Sequence, residues 1–306
     1  MSPGGTPGTV YGTGGGVYQV LLDEGGLVEA TLRGRLKQER RTGDSVVIGD
    51  RVEVVRSGGT WAVEHVAERR SQLVRRGGGG RKAKVVAANV DRVLAVVAVR
   101  DPDASLALVD RLLVISEGSG VPPVLVVNKV DLKGGREMAA SLTALYGRIG
   151  YKVLSVSAVT GEGLDEVARE LSQGVSALMG PSGAGKSSLL NTLHPELGLR
   201  TGALSRKTGR GRHTTVGSRL IPLAGGGAVA DTPGFGDVGV WGVEAGEVSH
   251  CFPEFPPLEG ECRFRGCAHV REPDCAIRRA VAGGQVAESR YRSYVALREE
   301  AESAEG

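Results

Sequence analysis

Cysteine is missing from the first 250 residues of this 306-residue chain; all four cysteines lie between Cys251 and Cys275. A secreted disulfide scaffold would scatter its cysteines, so the cluster reads instead as metal ligands in a reducing compartment. Long hydrophobic runs are also missing, and none approaches the ~20 residues of a membrane span. The opening stretch, MSPGGTPGTVYGTGGG, has neither a basic start nor an apolar core, which excludes a secretory signal. A soluble cytoplasmic protein with no membrane partner is expected. Charge of one sign is not in excess: 38 Lys and Arg face 35 Asp and Glu, a net of +3 that assigns no partner by itself. Aromatics are scarce at 4%, and lysine (8) is rare beside arginine (30), a pattern that reads with the 48 glycines as genomic codon bias. Hydrophobic residues still make up 41%, enough for packed cores, and the length suggests two or three domains.

Texture divides the chain. Residues 1–16 are Gly-, Thr- and Pro-rich and are expected to be a disordered extension. Residues 17–76 show short alternating runs, among them VYQVLL, LVEATLRG and GTWAVEHVAE, which predict about five strands in an OB-type barrel. Arg69 to Lys84 reads as a basic, Gly-rich linker. From Val85 the pattern changes to VDRVLAVVAV and PVLVV, continuous apolar runs of the kind buried on both faces of a parallel sheet. These alternate with helical stretches near Ala104–Ser116, Met138–Arg148 and Gly163–Gln173, predicting a doubly wound α/β domain over 85–239. Residues 240–306 carry the Cys/His segment and a final charged helix, Gln285–Glu302.

Gly180-Pro181-Ser182-Gly183-Ala184-Gly185-Lys186-Ser187-Ser188 contains the G-x-x-x-x-G-K-[ST] phosphate loop between the predicted strand VSALM and a predicted helix. Its glycines let backbone N–H groups turn toward phosphate oxygens, Lys186 reaches the β/γ-phosphates, and Ser187 offers a hydroxyl to Mg²⁺. Asn128-Lys129-Val130-Asp131 follows the strand PVLVV. A carboxylate at Asp131 can accept from the N1–H and exocyclic amine of guanine, a pair that adenine cannot offer. Asn128 would brace the loop and the Lys129 stem would cover the base. Ser157-Ala158 ends another predicted strand, where the Ala158 N–H would meet guanine O6. Either tetrapeptide or dipeptide alone is compatible with a simple turn; their joint placement beside a phosphate loop points to GTP and GDP.

Asp231-Thr-Pro-Gly234 fits D-x-x-G, in which the Asp holds Mg²⁺ through water and the Gly N–H touches the γ-phosphate. Between them, Gly198 to Arg219 carries six Lys/Arg, no acid and the run Arg212-His213-Thr-Thr215, suiting a γ-phosphate switch or a basic RNA contact. Phe235 stands where many GTPases place a water-orienting Gln, and Phe cannot orient water. His213 either takes that catalytic role or contacts RNA. The motif order is permuted, with N-K-x-D and S-A ahead of the phosphate loop, a rearrangement that preserves neighbour contacts.

Cys262-x4-Cys267-x-His269-x5-Cys275 supplies three thiolates and one imidazole within 14 residues, a closed set suited to one structural Zn²⁺. Cys251 is left over as a buried thiol or as a substitute for His269. Arg263, Arg265, Arg271, Arg278 and Arg279 interleave with the ligands and suggest a phosphate-facing surface.

The sequence N-K-x-D, S-A, G-P-S-G-A-G-K-S-S, G-R-H-T-T, D-T-P-G-F and C-x4-C-x-H-x5-C, behind a β-barrel, resembles the ribosome small-subunit-dependent GTPase A family (RsgA, also called YjeQ). The resemblance spans about Gly16 to the C-terminus. It implies an OB-fold, a circularly permuted GTPase domain and a zinc domain. It implies a GTP hydrolase acting in late maturation of the 30S subunit, in contact with 16S rRNA and stimulated by the ribosome, with His213 as hydrolytic residue and Thr215, rather than Thr214, as the switch threonine. The alternative is an rRNA-binding module in which the nucleotide is a structural ligand. A monomer is expected. The Gly-rich N-terminus and the Gly77–Gly80 linker depart from the family pattern.

Overall fold

The computed structural model describes residues 5–34, 36, 46–76, 83–199, 218–231 and 243–305. Alternation builds its first unit. Strands β1 (Thr6–Gly14), β2 (Val17–Leu22), β3 (Leu27–Leu32), β4 (Arg51–Ser57) and β5 (Thr60–Val66) turn Val10, Tyr18, Val20, Ala30, Leu32, Val54 and Val63 inward. Gly15-Gly16 joins β1 to β2 and Gly58-Gly59 joins β4 to β5. All four glycines have positive φ, as tight two-residue hairpins require. The strand order β1-β2-β3-β5-β4 closes on itself through β1–β4, with β3 and β5 parallel and the other pairs antiparallel. This is the expected five-stranded barrel.

Two boundaries are corrected. The reading of residues 1–16 as a disordered extension fails over Thr6–Gly14, which is a barrel strand paired on both sides; residues 1–4 lie outside the described residues. The strand's glycines are needed there: a Cβ on Gly8 would lie 2.6 Å from the Leu21 carbonyl oxygen. The linker reading also fails, since β6 (Gln72–Arg76) and β7 (Ala83–Ala88) form an antiparallel ribbon with Leu73 and Ala87 buried. The ribbon is fastened to the barrel by Arg69, whose guanidinium forks onto buried Asp50 at 2.7 and 2.9 Å.

The α/β unit follows the apolar runs. Strands β8 (Arg92–Ala98), β9 (Pro123–Asn128), β10 (Lys152–Ser155), β11 (Val175–Met179), β12 (Arg219–Pro222) and β13 (Ala228–Asp231) lie in the order β10-β9-β8-β11-β13-β12. All are parallel except β12. Alternate residues of one strand serve opposite faces. Val93, Ala95 and Val97 pack with Leu112, Leu113 and Tyr146 of α1 (Leu106–Gly118) and α2 (Gly135–Ile149). Leu94 and Val96 pack with Leu164, Val167 and Leu189 of α3 (Leu164–Leu171) and α4 (Lys186–Leu193). This two-sided burial is why the strands read as unbroken apolar runs. Gly12 of β1 pairs with Arg219 of β12, and the Thr13 N–H donates to the Ser218 carbonyl at 3.0 Å, so barrel and α/β sheet are one continuous sheet.

The C-terminal unit packs Phe252, Phe255, Ile277, Tyr294 and Leu297 around Val114 of α1. It is built from α5 (Ala276–Ala282), α6 (Glu288–Glu305) and the Cys/His loop that precedes them. No helix among the described residues is long and apolar enough to cross a membrane.

Candidate guanine-nucleotide site and metal centre

The motif loops converge because parallel strands bring their carboxyl ends to one edge of the sheet. The loop after β11 is Gly180–Gly185, and α4 starts at Lys186. Three of its glycines hold positive φ: Gly180 (145°), Gly183 (86°) and Gly185 (95°). A Cβ on Gly180 would sit 2.0 Å from the Val96 carbonyl oxygen, and one on Gly185 2.2 Å from Asn128 Nδ2. The glycines are therefore fixed by close approach as well as by backbone conformation. Ala184 is buried, Pro181, Ser187 and Ser188 are half-buried, and Ser182 is exposed. Lys186 Nζ donates to the Gly180 and Pro181 carbonyls at 2.6 and 2.9 Å, which holds its ammonium across the mouth of the loop.

Asn128 ties the base loops to the phosphate loop. Its side chain is buried; Nδ2 donates to the Ala184 carbonyl at 2.9 Å, and Oδ1 accepts from the Ala158 N–H at 3.3 Å. One amide thus fixes the spacing of all three motifs. The Ala158 N–H, read from the sequence as a donor to guanine, has this intramolecular partner here. Ser157 is buried, and its Oγ accepts from the N–H groups of Val159 and Thr160, which shapes the turn. Val130 is buried and its N–H donates to the Val156 carbonyl at 3.2 Å. Asp131 is exposed.

Lys129 has positive φ (65°), and its Nζ donates to the carbonyls of Arg100 (3.1 Å) and Asp101 (2.5 Å). Those carbonyls belong to the loop between β8 and α1, which lies against the phosphate loop. A Cβ on Gly183 would be 3.2 Å from Pro102 Cδ. Sequence reasoning missed this loop because it contributes backbone oxygens, and carbonyls carry no residue signature. Asp231 ends β13, where Arg219 Nε donates to its Oδ2 at 3.2 Å. His213, Thr215 and Gly234, together with Phe235, lie outside the described residues.

Cys262, Cys267, His269 and Cys275 converge, with ligand atoms all within 4.8 Å of one another and the thiols free of disulfides. His269 Nδ1 lies 3.6 Å from Cys262 Sγ and 3.4 Å from Cys275 Sγ. A tetrahedral metal with bonds of about 2.3 Å to sulfur and about 2.0 Å to nitrogen needs S···N edges of roughly 3.5 Å. The donor set fits such an ion. Burial holds the His269 imidazole below its ordinary value against the pull of Glu259, which favours the neutral ring a metal requires. Glu272 braces the loop by accepting from the N–H groups of Ala268, Val270 and Arg271. Tyr291 donates to the His269 carbonyl at 2.9 Å and Tyr294 to that of Ala268 at 2.5 Å.

Cys251 stands apart. It is buried, its Sγ donates to the Glu247 carbonyl at 3.6 Å, and burial pushes its thiol up to about 12. The alternative in which it replaces His269 is excluded by this placement. The interleaved arginines Arg263, Arg278 and Arg279 are exposed and hold local partners: Arg263 pairs with Asp274 at 2.9 Å, and Arg278 and Arg279 donate to backbone carbonyls nearby.

A parallel sheet with a central phosphate-loop strand, flanked on one side by the base loops and on the other by β13, defines a circularly permuted GTPase. Residues 66–241 match the family model described as RsgA GTPase. The chain belongs to the RsgA GTPase family and is a GTP hydrolase. It is 48% identical over 299 residues to the small ribosomal subunit biogenesis GTPase RsgA of Gemmatimonas aurantiaca, covering 96% of this chain and 97% of that one. To the protein of the same name from Moorella thermoacetica it is 42% identical over 289 residues, covering 94% of each. Among solved structures it resembles YjeQ from Thermotoga maritima, with a TM-score of 0.79 and 32% identity over 97% of this chain and 98% of that one.

Proposed function

We propose that this GTPase acts on the small (30S) ribosomal subunit during its late maturation in the cytoplasm, and that the subunit stimulates its turnover. The single observation that carries this reading is the near full-length match to relatives named for small ribosomal subunit biogenesis. The barrel and the metal module flank the nucleotide domain as two surfaces for 16S rRNA, and the protein works as a monomer.

In this reading Asp131 accepts from the N1–H and amine of guanine, Asn128 and Ala158 border the base, and the Lys129 stem covers it. Val130 and Ser157 hold those two loops in shape. The Gly180–Ser188 backbone wraps the phosphates, and Lys186 exchanges the carbonyls of Gly180 and Pro181 for β/γ-phosphate oxygens. Ser187, directly, and Asp231, through water, would hold Mg²⁺, which neutralises charge on the phosphates. Thr215 and the Gly234 N–H sense the γ-phosphate, and His213 orients the attacking water. Cys262, Cys267, His269 and Cys275 would hold one structural Zn²⁺, which supplies folding energy to a module with a small core.

GTP turnover with and without purified 30S subunits tests the proposal. A rise of at least tenfold on adding 30S is expected, and His213→Ala should abolish most of it while sparing nucleotide affinity. Unchanged turnover with 30S would overturn the ribosomal reading. Co-sedimentation with 30S should be stronger with a non-hydrolysable GTP analogue than with GDP.

A further inference from the structure

Glu259 closes the single helical turn Pro256–Glu259, three residues before the first metal ligand. As a whole the side chain is about a quarter exposed, but its Oε1 is buried and accepts no hydrogen bond among the described residues. The polar atom that faces this oxygen is His269 Nε2, at 3.5 Å. The other oxygen, Oε2, faces His250 Nε2, also at 3.5 Å. His250 is in turn fastened through Nδ1 to Glu247 at 3.1 Å. The carboxylate is therefore aimed at the far side of the imidazole whose near nitrogen, Nδ1, sits between two thiols.

We propose that Glu259 is a positioning residue for the metal centre, fixing His269 in the tautomer that carries its proton on Nε2 and presents the Nδ1 lone pair to the ion. A neutral imidazole has one proton to place. If it sits on Nδ1, the ring points a hydrogen at the thiolates and leaves Glu259 Oε1 without a donor. If it sits on Nε2, the orphan oxygen gains a charge-assisted donor and Nδ1 becomes a ligand. Both requirements select the same tautomer. A metal-bound histidine that donates its remaining N–H to a carboxylate is held in orientation and made more basic, and loss of such a partner typically costs 10–100-fold in metal affinity. The positive φ of His269 (58°) does not by itself orient the ring, so the carboxylate supplies a restraint that the backbone lacks.

This inference rests on the reading of the Cys/His cluster as a zinc site, and the experiment separates the two. The full 306-residue chain is loaded with Zn²⁺ and competed against a chromophoric chelator. Glu259→Leu, which fills the space without an acceptor, is expected to weaken Zn²⁺ binding about 10–100-fold. Glu259→Gln, which keeps a neutral acceptor, should fall between Leu and the natural residue, and the exposed Glu261→Gln should change nothing. Wild-type affinity in Glu259→Leu would overturn the positioning role, since a merely space-filling side chain predicts that result. Nitrogen-15 histidine spectra of the unsubstituted zinc-loaded chain give a readout independent of any variant. Nδ1 bound to metal and Nε2 protonated is expected; the opposite arrangement would overturn the proposal. If the unsubstituted chain takes up no Zn²⁺, the metal reading itself falls, and this inference with it.

Discussion

Arg290 of α6 donates to Asp110 of α1 at 2.8 Å, and neither side chain is exposed. The two lie 180 residues apart and join the C-terminal module to the GTPase domain. Glu254 accepts from Nε and Nη2 of the same guanidinium at 2.7 and 3.0 Å, Tyr146 donates to Asp110 at 2.6 Å, and the Phe252 ring lies 4.4 Å from the guanidinium carbon. Burial opposes the arginine's charge, but the two carboxylates more than offset it and hold its pKa above the ordinary value.

Removing the cation strands two carboxylates in the interface. Arg290→Met should therefore cost about 3–5 kcal/mol. Urea unfolding followed by circular dichroism measures it, with Arg111→Ala as comparison. Arg111 pairs with Glu300 across the same two helices but at a solvated rim, so its loss should cost less than about 1 kcal/mol. Equal costs would show that burial does not govern the joint.

Asn128→Ala removes the amide that links the phosphate and base loops. It deletes two hydrogen bonds and leaves the Ala184 carbonyl short of a donor. A loss of about 2–3 kcal/mol in GDP binding follows, roughly 30- to 150-fold. Equilibrium titration with a fluorescent GDP analogue reads the change directly.

Gly185→Ala places a Cβ 2.2 Å from Asn128 Nδ2 at a backbone angle that L-residues avoid. GDP affinity should fall roughly 30- to 700-fold, since the clash and the strain each cost on the order of 1–2 kcal/mol. Gly134→Ala carries comparable backbone strain (φ 77°) in open space. It should lower thermal stability slightly and leave GDP binding unchanged.

Cys251 carries a pH signature. An unfolded thiol releases its proton near pH 9, whereas the buried thiol keeps it to about 12. Between those values the unfolded chain binds fewer protons than the native one, so stability falls as pH rises. The urea midpoint of the metal-loaded protein should drop more steeply from pH 8.5 to 10 than that of Cys251→Ala. Parallel slopes would place the alkaline loss elsewhere.

The nucleotide and metal motifs were legible because their chemistry is local in the chain. A phosphate loop needs glycines at fixed offsets, and a tetrahedral metal loop needs ligands within a few residues of one another. Strand β1 was not legible. Thr6–Gly14 holds one deeply buried apolar side chain, Val10, and its glycines serve close approach to β2, so its composition reads as disorder. The β6–β7 ribbon was hidden by its Arg- and Gly-rich surroundings, although Leu73 and Ala87 anchor it in the core. Asp110–Arg290 and Glu259–His269 had no signature, because a tertiary pairing leaves no period in the sequence. Lys129 reads from the sequence as a cover for the base, and nothing in the sequence signals the carbonyls of Arg100 and Asp101 that hold its ammonium.

One pocket, assembled from permuted motifs, should distinguish guanine from adenine. Isothermal calorimetry of the zinc-loaded chain with GDP and then with ADP tests this most directly. A site that hydrogen-bonds the guanine edge should favour GDP by at least about 1,000-fold. Equal affinity for ADP, or no heat with GDP, would contradict it.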